Sequence, residues 1–374
     1  VDHVGGPLQA ARRAGQGLFD EIEAGWLVPP VQSRIDRFAD EVTGASENAD
    51  VALDAVRVAP ALFGGDGPRR YLVLFTTTAE ARGLGGFIGN YGELTAVDGD
   101  VELTRSGRME RDFRPPPDQP PYTISGPPDY LARYGELNPG IFVQDTSFSP
   151  DFPTVGTVWT ELYPQVPGGG PIDGVIMVDP EGLAGLLRFT GPIQLTGLAE
   201  PLTADNAAEF LLRDQYLLFQ DGTERIDFLD EATRVTFEAL TSGDIPGPAT
   251  VTEILGPLVR GGHLAVYSVH DDEAALYRRT EIDGKFPEGR IDLGSLVGRN
   301  AGNSKIDIFS QRSFEQDTLV DPDAGRVETT VTIELVNEAP PDGLPEAVLN
   351  NALPGRPPGT NTTTLSWYST LELD

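Results

Sequence analysis

The chain contains no cysteine, which excludes disulfides, thiolate metal sites and thiol nucleophiles. Histidine is nearly as scarce at three residues, and no Ser-His-Asp hydrolase pattern can be assembled from them. Cations are outnumbered: 27 basic residues against 58 acidic ones give a formal net charge of -31 over 374 residues. A surface that acidic repels nucleic acid and anionic lipid head groups, so general nucleic-acid binding is excluded. Any bound anion must be held by a local arginine cluster working against the field of the whole protein, since only Lys285 and Lys305 are lysines. No run approaches the roughly 18 to 20 apolar residues that cross a bilayer, and no signal-peptide pattern is present. Neither a phosphate loop ending Gly-Lys-Ser/Thr nor a strict GxGxxG occurs, so nucleotide-binding motifs are unmatched.

What is present centres on residues 71–93, YLVLFTTTAEARGLGGFIGNYGE. Tyr71, Leu72, Val73, Leu74 and Phe75 form an unbroken apolar run closed by threonines, the pattern of a central strand covered on both faces. Glu80 and Arg82 follow, then Gly83, Gly85, Gly86 and Gly89. In open α/β sheets ligands gather at the carboxyl ends of strands, where loops aim charged groups and bare backbone N–H at an anion. The loop therefore reads as a candidate site in which Glu80, Gly85, Gly86 and Asn90 contact substrate. The alternative is that Glu80 and Arg82 pair with each other while the glycines permit a tight turn. His270-Asp271-Asp272 reads as a helix N-cap more readily than as a metal site.

Residues 1–64 read as a helical arm: Leu8, Ala11, Leu18, Ile22 and Trp26 recur at helical spacing, and Val31, Ile35, Phe38 and Val42 resume it after Pro29-Pro30. Residues 65–304 read as an α/β body. It opens with the central strand and a hairpin around Asp98-Gly99-Asp100, followed by a long surface loop over 106–140. Next come a helix started by Ser149, Asp151 and Pro153, a buried strand over 173–178, and a helix capped by Asp179. Helices capped by Thr203 and Asp227, a helix over 250–259, a strand over 263–269 and a helix from Asp271 complete the body, and this alternation gives the α/β class. Residues 305–374 turn to β: Ile306 and Ile308 lead to a turn at 321–325, then Val327, Thr329, Val331, Ile333 and Leu335 alternate with polar residues, and 364–373 is a last strand.

The blocks YLVLFTTTAEARGLGGFIGNYGELTAVDGDV, SPDFPTVGTVWTELYPQ, DGVIMVDPEGLAGLLRFTGPI and LTADNAAEFLLRDQY resemble, in order, the bacterial domain-of-unknown-function family 4012. That resemblance implies a membrane-anchored, extracytoplasmic cell-envelope protein in a polysaccharide setting. The anchor would lie outside this chain, whose start at Val1 reads as that of a trimmed ectodomain. Scarce lysine beside abundant Ala, Gly, Asp and Pro reads as a GC-rich, actinobacterial genome.

IDGVIMVDPEGLAGLLRFTGPIQL followed by LTADNAAEFLLRDQY is also similar, more distantly, to the core of the LytR-CpsA-Psr family. That family transfers glycopolymers from a polyprenyl pyrophosphate carrier, using arginines on the pyrophosphate and aspartates on magnesium. The resemblance implies a central mixed sheet with helices on both faces, preceded by the arm and followed by a β-rich appendage. It implies polyprenyl-linked glycan as partner and possible phosphotransferase activity, with Arg82, Arg213 and Asp214 catalytic, Arg225 and Arg234 reinforcing, and Asp145 and Asp151 on Mg. Gln215 stands where the family has a second arginine, and Thr76 and Thr77 where it has an aspartate. The competing expectation is a non-catalytic envelope module that binds glycan or lipid, or scaffolds partners.

Overall fold

A computed structural model describes residues 50–219, 222–242, 248–288, 293–340, 342–349 and 355–369. The expected helical arm falls largely outside these residues; of it, residues 50–62 are helical. The end of that helix docks on the sheet, where the Tyr71 hydroxyl donates to Leu62 O at 2.8 Å and Arg69 Nε to Ala61 O at 3.1 Å.

The body is a five-stranded mixed sheet in the order β3-β2-β1-β4-β5. Its strands are β1 (Arg69–Thr77), β2 (Phe87–Val97), β3 (Asp100–Arg108), β4 (Gly174–Val178) and β5 (Leu264–Ser268). Only β1 and β4 run parallel, with Tyr71 opposite Gly174 and Phe75 opposite Val178. β1 therefore lies at the centre, as its apolar run predicts. The β2–β3 hairpin turns at Asp98 and Gly99, both in the left-handed region with φ of 51° and 97°, which is what a two-residue hairpin turn requires.

Strand alternation divides the side chains between two layers. Leu72, Leu74, Val175 and Met177 face a core closed by α3 (Phe152–Leu162) through Val155, Val158, Trp159 and Leu162. Before α3 come two short helices, α1 (Met109–Phe113) and α2 (Pro128–Tyr134), in the segment expected to be a surface loop. That expectation is corrected: Met109, Phe113 and Tyr130 are fully buried and complete this core. Proline density masked single helical turns whose one or two large apolar residues are their whole signal.

Val73, Phe75, Ile176 and Val178 face the opposite layer. It is built from α4 (Pro180–Thr190), α5, α6 (Gly222–Ser242) and α7 (Pro248–Arg260). α5 is composite: Ala207–Glu209, a π turn over Phe210–Asp214, then Gln215–Leu218. Asp179 caps α4 by accepting from Gly182 N at 2.8 Å, as expected. Asp227 does not start a helix, because α6 already begins five residues earlier at Gly222. Asn206, not Thr203, holds the N-cap position of α5. α8 (Asp271–Arg279) follows β5.

Beyond the body, β6 (Gly294–Asn300) pairs with β9 (Thr363–Ser369), and β7 (Ser310–Asp321) pairs with β8 (Arg326–Asn337) over their whole length. Ile306 and Ile308, expected in extended chain, lie in a 3₁₀ turn over Ile306–Phe309 because Asp307 is needed as an acceptor for the β1–β2 loop. No helix among the described residues is long and apolar enough to cross a membrane.

Candidate functional site

The loop after β1 is a buried junction. Arg82 is 9% exposed and Glu80 1%. All five N–H donors of Arg82 are used inside the protein. Nε and Nη2 reach Asp145 Oδ1 at 2.7 and 2.6 Å, Nη2 also reaches Glu80 Oε1 at 2.7 Å, and Nη1 donates to Ala81 O at 2.9 Å and Asn300 O at 3.4 Å. Lys305 pairs with the other oxygen of Glu80. Glu80, between two cations, is held below the usual carboxylate range although burial alone would raise it. Burial leaves Asp145 above that range, because Arg82 is its one close cation partner. The loop backbone is tied to the chain's later part as well: Ala81 N donates to Asp307 Oδ2 at 2.8 Å, and Asn300 N to Ala81 O at 2.9 Å.

The sequence left two readings of Glu80 and Arg82 open, and the geometry is that of the pair. Arg82 has no donor left for a phosphate, which corrects its expected catalytic role. Gly85 and Gly86 hold left-handed φ of 60° and 91° for the turn, and a Cβ at Gly86 would sit 1.9 Å from Thr77 O. The Gly86 carbonyl accepts from Ser147 Oγ at 2.6 Å.

The other expected residues are not gathered around this loop. Arg213 is 42% exposed at its side chain and pairs with Glu209 at 2.6 Å and with Asp214 at 2.8 Å, both on its own helix. Arg234 pairs with Glu238 one turn along α6. Asp151 is the N-cap of α3: Oδ2 accepts from Thr154 N at 2.9 Å and Oδ1 from Phe286 N at 2.9 Å. With Asp145 committed to Arg82 and Asp151 to a helix end, the two carboxylates expected to hold magnesium do not fit that ion. Among the described residues no group of three His, Cys, Asp or Glu side chains is placed to bind a metal.

Two expected residues, Asn90 and Arg225, do meet at one place. They line a cavity of about 450 Å³ between the sheet and α4, α5 and α6. Its wall is mostly aliphatic and aromatic: Val73 and Phe75 from β1, Leu183 and Leu186 from α4, Leu229 and Phe237 from α6. The volume lies within the range of ligand pockets, roughly 300 to 1,000 Å³. Arg108 also lines it. Arg225 packs on the Tyr216 ring at 4.8 Å, and neither it nor Arg108 has a carboxylate partner among the described residues. Asn90 lies opposite Arg108 in the β2–β3 ladder and donates to Asp230 Oδ1 at 3.3 Å, five residues along α6 from Arg225. Burial, reinforced by Asp112 and Asp227, pushes the Asp230 carboxyl up, against the opposing pull of Arg111 and of the Asn90 hydrogen bond. Lys305 joins the two features: it lines the cavity, pairs with Glu80 and lies over the Phe87 ring at 4.5 Å.

Residues 66–216 match the family model for a protein of unknown function, DUF4012. The resemblance read from the sequence blocks is borne out over that segment. No curated protein matches the chain. Among solved structures, gbs0355 from Streptococcus agalactiae is 12% identical, with a TM-score of 0.32 over 58% of this chain and 74% of that one. B. subtilis TagV is 14% identical, with a TM-score of 0.29 over 60% of this chain and 86% of that one. Likenesses of that size carry no argument about activity, and the α/β assignment rests on the strand order itself.

The DUF4012 segment contributes β1 to β4, α4 and most of α5 to the cavity, and ends at Tyr216. The remaining wall lies beyond that segment and includes Arg225 and Leu229 of α6, Leu255 of α7, Leu264 and Val266 of β5, Ile282 and Lys305. Arg108 was missed because it stands at the end of a polar edge strand with no motif around it. The acids nearest to it in sequence are taken by other arginines: Asp112 pairs with Arg111 and Glu110 with Arg114.

Proposed function

We propose that this protein binds a phosphate-bearing lipid of the cell envelope, with the chain of the lipid in the cavity and its phosphate at Arg108 and Arg225. Polyprenyl-linked glycan is the ligand class that the sequence resemblance implies, and glycopolymer assembly or attachment at the extracytoplasmic membrane face is the setting it implies. The observation that carries the reading is an apolar cavity of about 450 Å³ lined by two arginines that have no carboxylate partner among the described residues, in a protein with a net charge of -31. In so acidic a chain a cation beside an apolar cavity remains unneutralised at a cost that an anionic ligand offsets. Binding is favoured over transfer, since Arg82, Arg213, Asp145 and Asp151 are each engaged in an ion pair or a helix cap.

The test is titration of delipidated protein with geranylgeranyl monophosphate and with geranylgeraniol, followed by native mass spectrometry. The phosphate form should bind more tightly, and Arg108→Ala and Arg225→Ala should each weaken it by about 10-fold to 100-fold, as loss of one charge-assisted contact does. Equal binding of alcohol and phosphate, or wild-type affinity in both variants, overturns the reading.

A further inference from the structure

The cavity wall is not apolar throughout. Three of its buried side-chain atoms have no hydrogen-bond partner among the described residues: Thr77 Oγ1, Gln215 Oε1 and Thr236 Oγ1. Gln215 is 4% exposed and Thr236 3%, so bulk water does not serve them. Buried polar groups are nearly always satisfied, and unpaired ones on a common cavity mark a missing partner. They reach the cavity from the end of β1, from α5 and from α6, so they border it from the sheet and from two helices.

The local backbone accounts for the position of Gln215. Its N–H reaches back to Phe210 O through the π turn, which rotates the residues that follow. Gln215 and Tyr216 consequently line the cavity while Arg213 and Asp214 do not. Single π turns inside helices occur frequently at functional sites. The Gln215 amide nitrogen donates to Leu211 O, which fixes the side chain and leaves Oε1 as an acceptor in need of a donor. The two threonine hydroxyls can donate to an acceptor.

A ligand that satisfies all three atoms needs a donor and an acceptor within its buried part. An unbroken isoprenoid chain has neither. We propose that the ligand is an acyl lipid with a hydroxyl and an ester carbonyl next to its phosphate, the chemistry of a 1-acyl-glycerol 3-phosphate. The hydroxyl donates to Gln215 Oε1, the carbonyl, with two lone pairs, accepts from Thr77 and Thr236, and the acyl chain runs along Leu183, Leu229 and Phe237. This deepens the proposed reading and rests on it, because it presumes that a phosphate lipid fills the cavity.

The experiment compares 1-oleoyl-glycerol 3-phosphate with geranylgeranyl monophosphate on the full chain and on its Gln215→Leu and Thr236→Val variants, with thermal unfolding as the check on folding. The glycerol lipid should bind the wild-type chain more tightly. Each substitution should weaken it about 5-fold to 10-fold, the scale of one neutral hydrogen bond, and leave the isoprenoid phosphate unchanged or tighter. Preference of the wild-type chain for the isoprenoid phosphate overturns the inference and leaves the lipid-phosphate reading standing. So does wild-type affinity of both variants for the glycerol lipid, the result expected if water alone satisfies the three atoms. Binding of neither lipid overturns the lipid-phosphate reading itself.

Discussion

Arg82→Ala separates a structural arginine from a ligand-binding one. In the folded chain its guanidinium makes five contacts, two to Asp145 Oδ1 at 2.7 and 2.6 Å, one to Glu80 at 2.7 Å and two to backbone carbonyls. Removal leaves Glu80 with Lys305, but it leaves Asp145 buried without a cation partner. Deleting one member of a buried ion pair costs about 3 to 5 kcal/mol, mostly from the stranded charge. The side chains are 6% and 19% accessible for Arg82 and Asp145, so solvent screens only part of this. At about 2 to 4 °C per kcal/mol for a body of this size, the thermal midpoint should fall by roughly 6 to 20 °C. Urea unfolding followed by far-UV circular dichroism measures the free energy directly. Arg82→Lys should recover only a small part, since one ammonium cannot replace a planar fork of five donors. Adding Asp145→Asn to Arg82→Ala should recover part of the loss by removing the stranded charge. The reasoning is refuted if Arg82→Ala unfolds within about 0.5 kcal/mol of wild type, the ordinary surface range, while losing phosphate-lipid binding more than about 10-fold, which would place the guanidinium on the ligand.

Gly86→Ala should destabilise by about 2 kcal/mol or more, because φ is 91° and the new Cβ would meet Thr77 O at 1.9 Å; a wild-type urea midpoint would contradict this. Leu229→Trp should occupy the cavity and reduce lipid binding at least about 10-fold, with thermal unfolding near wild type, and unimpaired binding would show that the ligand lies elsewhere. The His263 imidazole is raised above its usual 6.5 mainly by its hydrogen bond to Asp179 at 2.9 Å. Its stabilising contribution is therefore full below pH 6.5 and is lost as pH rises through the folded value, so urea midpoints of wild type and His263→Gln should converge on raising the pH above 6.5. A gap between them that widens with pH would reverse the sign of the argument.

Much of the fold was legible where one residue pattern admits one structure. β1 announced itself by five consecutive apolar residues, and the end of α3 and α4 by Asp151 and Asp179, whose carboxylates do accept the expected backbone N–H. The β7–β8 hairpin followed from the turn at 321–325 and the alternation that comes after it. Elements decided by distant contacts were not legible. Met109, Phe113 and Tyr130 enter the core from short helices among prolines, and Asp307 leaves the expected strand to accept from Ala81, more than 200 residues away in sequence. The π turn in α5 has no sequence signature, yet it decides that Gln215 rather than Arg213 lines the cavity.

The expected arginines and those that line the cavity differ in a way the charge balance explains. In a chain with 58 acidic residues against 27 basic ones, an arginine close in sequence to a carboxylate at a matching spacing is neutralised locally. Arg82 takes Glu80 two residues before it, Arg213 takes Asp214 and Glu209, and Arg234 takes Glu238. Such pairs are favoured by their spacing and leave no charge for a ligand. Arg111 and Arg114 follow the same rule with Asp112 and Glu110. Arg108, at the end of β3, escapes it because Asp112 and Glu110 pair with Arg111 and Arg114, and Arg225 packs on Tyr216. Among the described residues, the apolar cavity is lined by two arginines, Arg108 and Arg225, that no carboxylate has neutralised, so an anion entering it meets their charge.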